Sequence, residues 1–196
     1  MVIGAVMVAR IAHADPEPAK EPIPDPAAAR AGDANLESIE QRRGIVFGAS
    51  IGPSVTIGGG TGTGGDVALK LGHVATPTTV IQLVFGGSAQ LHKDLNSTLV
   101  ANNVTYVLGG VQYWIGPSLW IHLGLGAGTY HCNSCLNAAK QERNTKRAGV
   151  SGGFGAGVDL VRFHGVVLGL EVYTVTLLDR DGVVATSGMS LGLAFD

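Results

Sequence analysis

A chain of 196 residues with a formal net charge of -2 has room for one domain and a tail, and offers no basic surface for nucleic acid. Only 14% of its residues are charged, against roughly 25% in ordinary soluble domains, and its mean hydropathy is +0.28. Yet every apolar run is broken by Gly, Thr, Ser or a charge before it reaches the roughly 20 residues of a spanning helix, so helical membrane proteins are excluded and strands are indicated.

In chain order, residues 1–9 are apolar, and Ala12-His13-Ala14 before Asp15 has the small-x-small form of a cleavage site. Residues 1–14 therefore read as a signal peptide, although no Lys or Arg precedes the apolar stretch and Arg10 interrupts its end. A start codon further upstream accounts for both departures. Residues 15–42 carry Pro16, Pro18, Pro22, Pro24 and Pro26 among Ala and Glu and have almost nothing to bury. They are expected to form a disordered periplasmic tether, with a short helix around Leu36, Ile39 and Glu40.

From residue 43 the period changes to two, which is that of a strand. Eight segments alternate in this way: 44–51, 66–74, 78–87, 103–115, 118–130, 149–161, 165–178 and 183–195. In the first, Ile45, Phe47, Ala49 and Ile51 oppose Val46, Gly48 and Ser50; in the second, Val67, Leu69 and Leu71 oppose Ala68, Lys70 and Gly72. The third opposes Ile81, Leu83 and Phe85 to Gln82, Val84 and Gly86. The fourth loses phase at Gly109-Gly110, where a β-bulge is expected. The fifth turns Trp120, His122, Gly124, Gly126 and Gly128 inward, the sixth Gly153, Gly155, Gly157 and Asp159, and the seventh Val167, Gly169, Glu171 and Tyr173. Helical period fits none of these Gly-broken, β-branched segments.

The connections alternate in length. Residues 52–65, 88–102 and 131–147 are long, whereas 75–77, 116–117 and 162–164 are short, and 179–182 is short where a long loop is due. With the tether in the periplasm, the short turns 75–77, 116–117 and 162–164 fall on the periplasmic side. The predicted fold is therefore all-β: an eight-stranded antiparallel up-and-down transmembrane barrel over residues 43–196, preceded by the disordered tether. Closure requires the first and eighth strands to pair. A soluble periplasmic β-barrel binding protein is the main rival. It is disfavoured because the second face of the strands is mostly Gly, Ala and Ser rather than Lys and Glu.

The last strand places Met189, Leu191, Leu193 and Phe195 in alternation before Asp196. With this ending the region from about residue 43 onward resembles the small eight-stranded bacterial outer-membrane barrels of the OmpA, OmpX and OmpW kind. The resemblance implies that Met189, Leu191, Leu193 and Phe195 form the signal read by the barrel-assembly machinery, with Asp196 a departure from the usual terminal aromatic. It implies a bacterial outer-membrane location reached by export, and outer-membrane lipids and lipopolysaccharide as surroundings.

Inside the barrel, Lys70, Gln82, His122, Asp159 and Glu171 fall at similar heights near the short-turn end. A buried Lys needs a carboxylate, so the cluster is expected to be a structural network rather than an acid–base site built on His122. Cys132 and Cys135 are expected either to close a small loop disulfide or to stand as idle thiols; two further ligands for a metal are missing, and neither metal nor cofactor is expected. Lys140, Arg143, Lys146 and Arg147 stand against Glu142 alone and are candidates for contact with lipopolysaccharide phosphates. Tyr106, Tyr113, Trp114, Trp120, Tyr130 and Phe163 are candidates for the membrane interface. The expected function is a structural or surface-interaction role in the envelope, by a monomer, with no turnover. The alternative is a lipid-active enzyme or a narrow path for small or hydrophobic ligands.

Overall fold

The computed structural model describes residues 43–58, 62–93, 96–136 and 142–195. The expected signal peptide and tether, together with Lys140 and Asp196, lie outside them, as do the side chains of His92, Cys135 and Arg143. The described residues form eight strands: β1 (Ile45–Ile57), β2 (Gly62–Thr76), β3 (Thr79–Lys93), β4 (Leu99–Trp114), β5 (Leu119–Leu136), β6 (Glu142–Phe163), β7 (Val166–Asp179) and β8 (Gly182–Phe195). Each pairs antiparallel with its sequence neighbours, and β1 pairs with β8 from Phe47↔Phe195 to Ile57↔Ala185, so the sheet closes without an edge.

All eight predicted strands are present, but the expected long loops are mostly strand. β1 runs on to Ile57, β3 to Lys93 and β5 to Leu136, and β6 begins at Glu142. At about 3.3 Å per residue the 22 residues of β6 extend for about 70 Å, well beyond the 9–11 residues that cross a bilayer. The Gly, Asn and Ser content that suggests loops here is tolerated because most of these residues still find ladder partners, such as Asn103 opposite His131 and Gly64 opposite Gln90.

The expected bulge at Gly109-Gly110 is absent. β4 keeps continuous register with both neighbours through these residues, and its exposure alternates without a break. The phase loss in the sequence arises because Leu108 and Trp114 are large apolar residues that point inward, where they are 1% and 8% exposed. Register shifts instead fall at Val74/Thr76, Cys132/Cys135 and Asp159/Val161. The β6–β7 turn is tighter than the sequence suggests: Phe163 pairs with Val166 across His164 and Gly165, both with positive φ (48° and 79°), the backbone a two-residue hairpin loop requires. The β7–β8 turn is closed by the backbone N–H of Asp181 donating to Asp179 Oδ1 at 2.7 Å.

Outward positions form an apolar belt, with Ile51, Leu69, Phe85, Leu125, Phe154 and Leu191 among the exposed side chains. Outward hydroxyls pair with each other, Thr105 with Thr129 at 2.7 Å and Thr174 with Ser187 at 2.9 Å. Polar groups on a face that meets hydrocarbon must find partners within the protein. The aromatic residues depart from expectation. Tyr106, Trp114, Trp120 and Tyr130 are buried in the lumen rather than at the interface, and of the six candidates only Tyr113 and Phe163 face outward. With Phe47 and Phe195 they make an outward aromatic group at the short-turn end.

The lumen is packed in layers. Val80, Trp114 and Trp120 fill the short-turn end; Ala68, Val84, Tyr106, Leu108, Val175, Leu177 and Val184 form a second apolar cluster further along. Near the opposite end Thr56 is hydrogen-bonded both to Thr186, with their hydroxyl oxygens 2.6 Å apart, and to the Gln90 amide, which donates to it. Glycines make room for the large rings. A Cβ on Gly157 would stand 2.3 Å from the Trp120 ring, and one on Gly86 2.4 Å from Tyr106, whereas one on outward-facing Gly109 meets nothing closer than 3.8 Å. Gly157→Ala should therefore destabilise the barrel by about 1–3 kcal/mol, the usual cost of overpacking, while Gly109→Ala is tolerated. Urea unfolding of the two variants in detergent checks this, and equal midpoints would contradict the packing described.

Candidate functional site in the lumen

Inward alternation on β2 and β7 brings Lys70 and Glu171 into the barrel from opposite sides of the β1–β8 seam. Gly48 on β1 faces Lys70 in the β1–β2 ladder, and Ser190 on β8 faces Glu171 in the β7–β8 ladder. Larger residues at these positions would fill the space between the two charges. The Lys70 ammonium ion-pairs with Glu171 Oε2, and the hydroxyls of Ser50 and Ser190 each donate to Glu171 Oε1 at 3.0 Å. Three donors on one carboxylate, with Glu171 largely buried, meet the requirement that a charge taken from water be paired and hydrogen-bonded. The Lys70 Nζ also lies 5.1 Å from the centroid of the Trp120 ring, within cation–π range.

Asp159 belongs to a second group at the same end. It accepts from Trp120 Nε1 at 3.2 Å and from Arg162 Nη2 at 3.3 Å, so its charge is met by Arg162. Lys70, Gln82, Asp159 and Glu171 all line one cavity of about 70 Å³ at the short-turn mouth. His122 stands one layer further in, lining a cavity of about 30 Å³ with Lys70, Glu171, Asp66 and Tyr106. Its ring fits beside glycines: a Cβ on Gly110 would be 2.8 Å from Nε2, and one on Gly124 3.2 Å from Cε1. His122 Nε2 and Gln82 Nε2 have no hydrogen-bond partner. Four of the five expected residues thus share one cavity, and the fifth adjoins two of them.

Ser50 and Ser190, which the sequence reading did not single out, complete the Glu171 site. Their signal was present in the alternation, because Ser50 shares the inward face with Gly48, and Ser190 separates the outward Met189 and Leu191. Arg162 carried no such signal. The register shift between Asp159 and Val161 moves it out of the strand's simple parity, and a shift of this kind has no mark in the sequence.

Elsewhere the expected groups separate. Cys132 is fully buried and disulfide-bonded, and the chain's other cysteine is Cys135. The basic stretch lies largely in β6 rather than in a loop. Within it Lys146 is exposed, while Arg147 turns inward to Asp179, 3.9 Å away. Met189, Leu191, Leu193 and Phe195 all face outward, each about half exposed. Among the described residues no group of three or more His, Cys, Asp or Glu is placed to hold a metal.

No protein-family profile matches the chain, and no curated protein matches it. Solved structures do. Neisserial surface protein A aligns with a TM-score of 0.58 at 11% identity, over 77% of this chain and 96% of that one. Ail, the attachment invasion locus protein of Yersinia pestis, aligns with a TM-score of 0.56 at 14% identity, over 79% of this chain and all of that one. Its complex with the heparin analogue sucrose octasulfate gives 0.54 at 14% identity, over 78% and 99%. At such identities the likeness is one of fold: the small eight-stranded outer-membrane type of barrel.

The Lys70–Glu171 pair should show the asymmetry of a buried ion pair. Lys70→Met alone, which strands the carboxylate, should cost about 3–5 kcal/mol, and the double variant Lys70→Met/Glu171→Gln should recover most of it. A double-mutant cycle by urea unfolding in detergent measures this, with no coupling as the contrary result.

Proposed function

We propose that this chain is an exported outer-membrane protein with a structural or surface-interaction role and no turnover. The observation that carries this reading is the combination of a closed barrel, an apolar outer belt and a side-chain-filled lumen holding cavities of only about 70 and 30 Å³ near its polar cluster. An eight-stranded barrel has an interior just wide enough for side chains, and here they occupy it. What is left to do work is the outer surface and the strand ends that rise beyond the belt.

The narrow-path alternative, for small polar solutes, needs a continuous polar channel, whereas the apolar layer of Tyr106, Leu108, Val175 and Leu177 crosses the lumen; for hydrophobic ligands it needs a wider void than the cavities of about 70 and 30 Å³ beside the polar cluster. The enzyme alternative needs a general base within hydrogen-bond reach of its partner. His122 Nε2 has none, and the Ser50 and Ser190 hydroxyls are committed to Glu171. In this reading Lys70, Gln82, His122, Asp159 and Glu171 form a structural plug. Lys140, Arg143 and Lys146 meet lipopolysaccharide phosphates at the outer rim, and Arg147 braces that rim from inside through Asp179. The names of the two fold-mates, a surface protein and an attachment invasion locus protein, are in keeping with a surface role.

The outward row Met189, Leu191, Leu193 and Phe195 acts as the signal to the barrel-assembly machinery, and the assembled form is a monomer. The expected result is that the membrane-extracted protein migrates faster unboiled than boiled, and that Phe195→Ala lowers the fast-migrating fraction in outer membranes. Recovery of the unaltered chain in the soluble periplasmic fraction, with no shift on boiling, would overturn the reading.

A further inference from the structure

The cavity at the short-turn mouth is built in two levels. Counting inward residues from the turns, Val80 precedes Gln82 on β3 and Trp114 precedes Gln112 on β4, while Lys70 and Glu171 stand deeper on β2 and β7. Val46, Val80, Trp114 and Val167 thus make an apolar collar over a polar floor. The four charged residues on the wall are already matched, Lys70 with Glu171 and Arg162 with Asp159.

Gln82 is not matched. It is 6% exposed, it lines the cavity, and its Nε2 has no hydrogen-bond partner. Its ladder neighbours are Gly72 on β2 and Gly110 on β4, which bring no side chain to its amide. A buried donor without an acceptor is costly, and at a mouth the acceptor can come from outside the protein. The void of about 70 Å³ has room for a polar head and roughly one or two methylenes, with the collar left to cover the next few carbons.

We propose that the short-turn mouth is a binding site for a short uncharged amphiphile, a slender aliphatic chain ending in an alcohol, amide or ester oxygen. The oxygen accepts from Gln82 Nε2, and the chain lies in the collar against Trp114 and Trp120. The site is a dead end rather than a path, because the Lys70–Glu171 pair and the apolar layer around Leu108 close the lumen beyond it. Charged analogues are refused, since they would have to part an ion pair or lie desolvated without a counter-charge.

The chain's two tryptophans both line this cavity, so their emission reports on it. The test titrates the full chain, folded in detergent, with 3-bromopropan-1-ol, whose bromine quenches indole emission on contact. The comparison ligands are 3-bromopropanoate and 1-bromopropane. The alcohol should quench saturably and bind severalfold more tightly than the carboxylate. Gln82→Leu should weaken the alcohol roughly tenfold, the worth of one hydrogen bond to a buried donor, and leave 1-bromopropane unchanged. Ala194→Leu, which fills the recess from β8, should abolish saturable quenching by the alcohol while the gel shift on boiling persists. Quenching that rises linearly without saturation leaves Gln82 to water alone and overturns the proposal. Equal affinity of the alcohol for the unaltered chain and for Gln82→Leu overturns it too. Tighter binding of the carboxylate makes the mouth an anion site, with the same consequence.

Discussion

Backbone hydrogen bonding in a medium without water is the constraint from which the rest of this structure follows. A strand in hydrocarbon cannot leave a carbonyl or an amide unpaired, so the sheet has to close, and the β1–β8 ladder is the closure. Once it is made, the size of the barrel is set by the number of strands, and eight leave an interior that only side chains can occupy. The lumen is thus a consequence of the seam, and its contents are chosen to fit a volume fixed by backbone geometry.

Two kinds of occupant solve that packing problem. Rings and branched side chains take most of the space wherever a glycine on a neighbouring strand yields it, as Gly157 does for Trp120 and Gly86 for Tyr106. The remaining space goes to charges that would be costly alone and are tolerable together. Glu171 collects an ammonium and two hydroxyls, and Asp159 an indole N–H and a guanidinium. The abundance of glycine thus reflects close packing rather than flexibility, and the scarcity of charge outside the lumen reflects the belt.

Strand number, the inward or outward sense of most residues, and the closing pair were legible in the sequence, because a period of two survives wherever one face meets lipid. Membership of the polar cluster was legible for the same reason, since Lys70, Gln82, His122, Asp159 and Glu171 break an inward row of small residues. Three things were hidden. Strand ends beyond the belt lose the apolar face that marks them, so the upper part of β5 and β6 looks like loop. Register shifts change parity without changing composition, which concealed Arg162. Large inward residues such as Leu108 imitate outward ones, and this produced an apparent bulge at Gly109-Gly110 where the ladder is regular.

The outward aromatic group of Phe47, Tyr113, Phe163 and Phe195 sits at one end of the barrel only, while Tyr106 and Tyr130, which would have served the other end, point inside. Aromatic side chains hold a protein at the depth where headgroups meet hydrocarbon. This barrel is therefore moored at its short-turn rim, and its far rim takes its level from the bilayer it happens to occupy. A change in membrane thickness would be absorbed entirely at that far side, by how much of each hairpin stands in water. The surface presented outward would grow in thin membranes and shrink in thick ones, with the short turns and the mouth staying where they are.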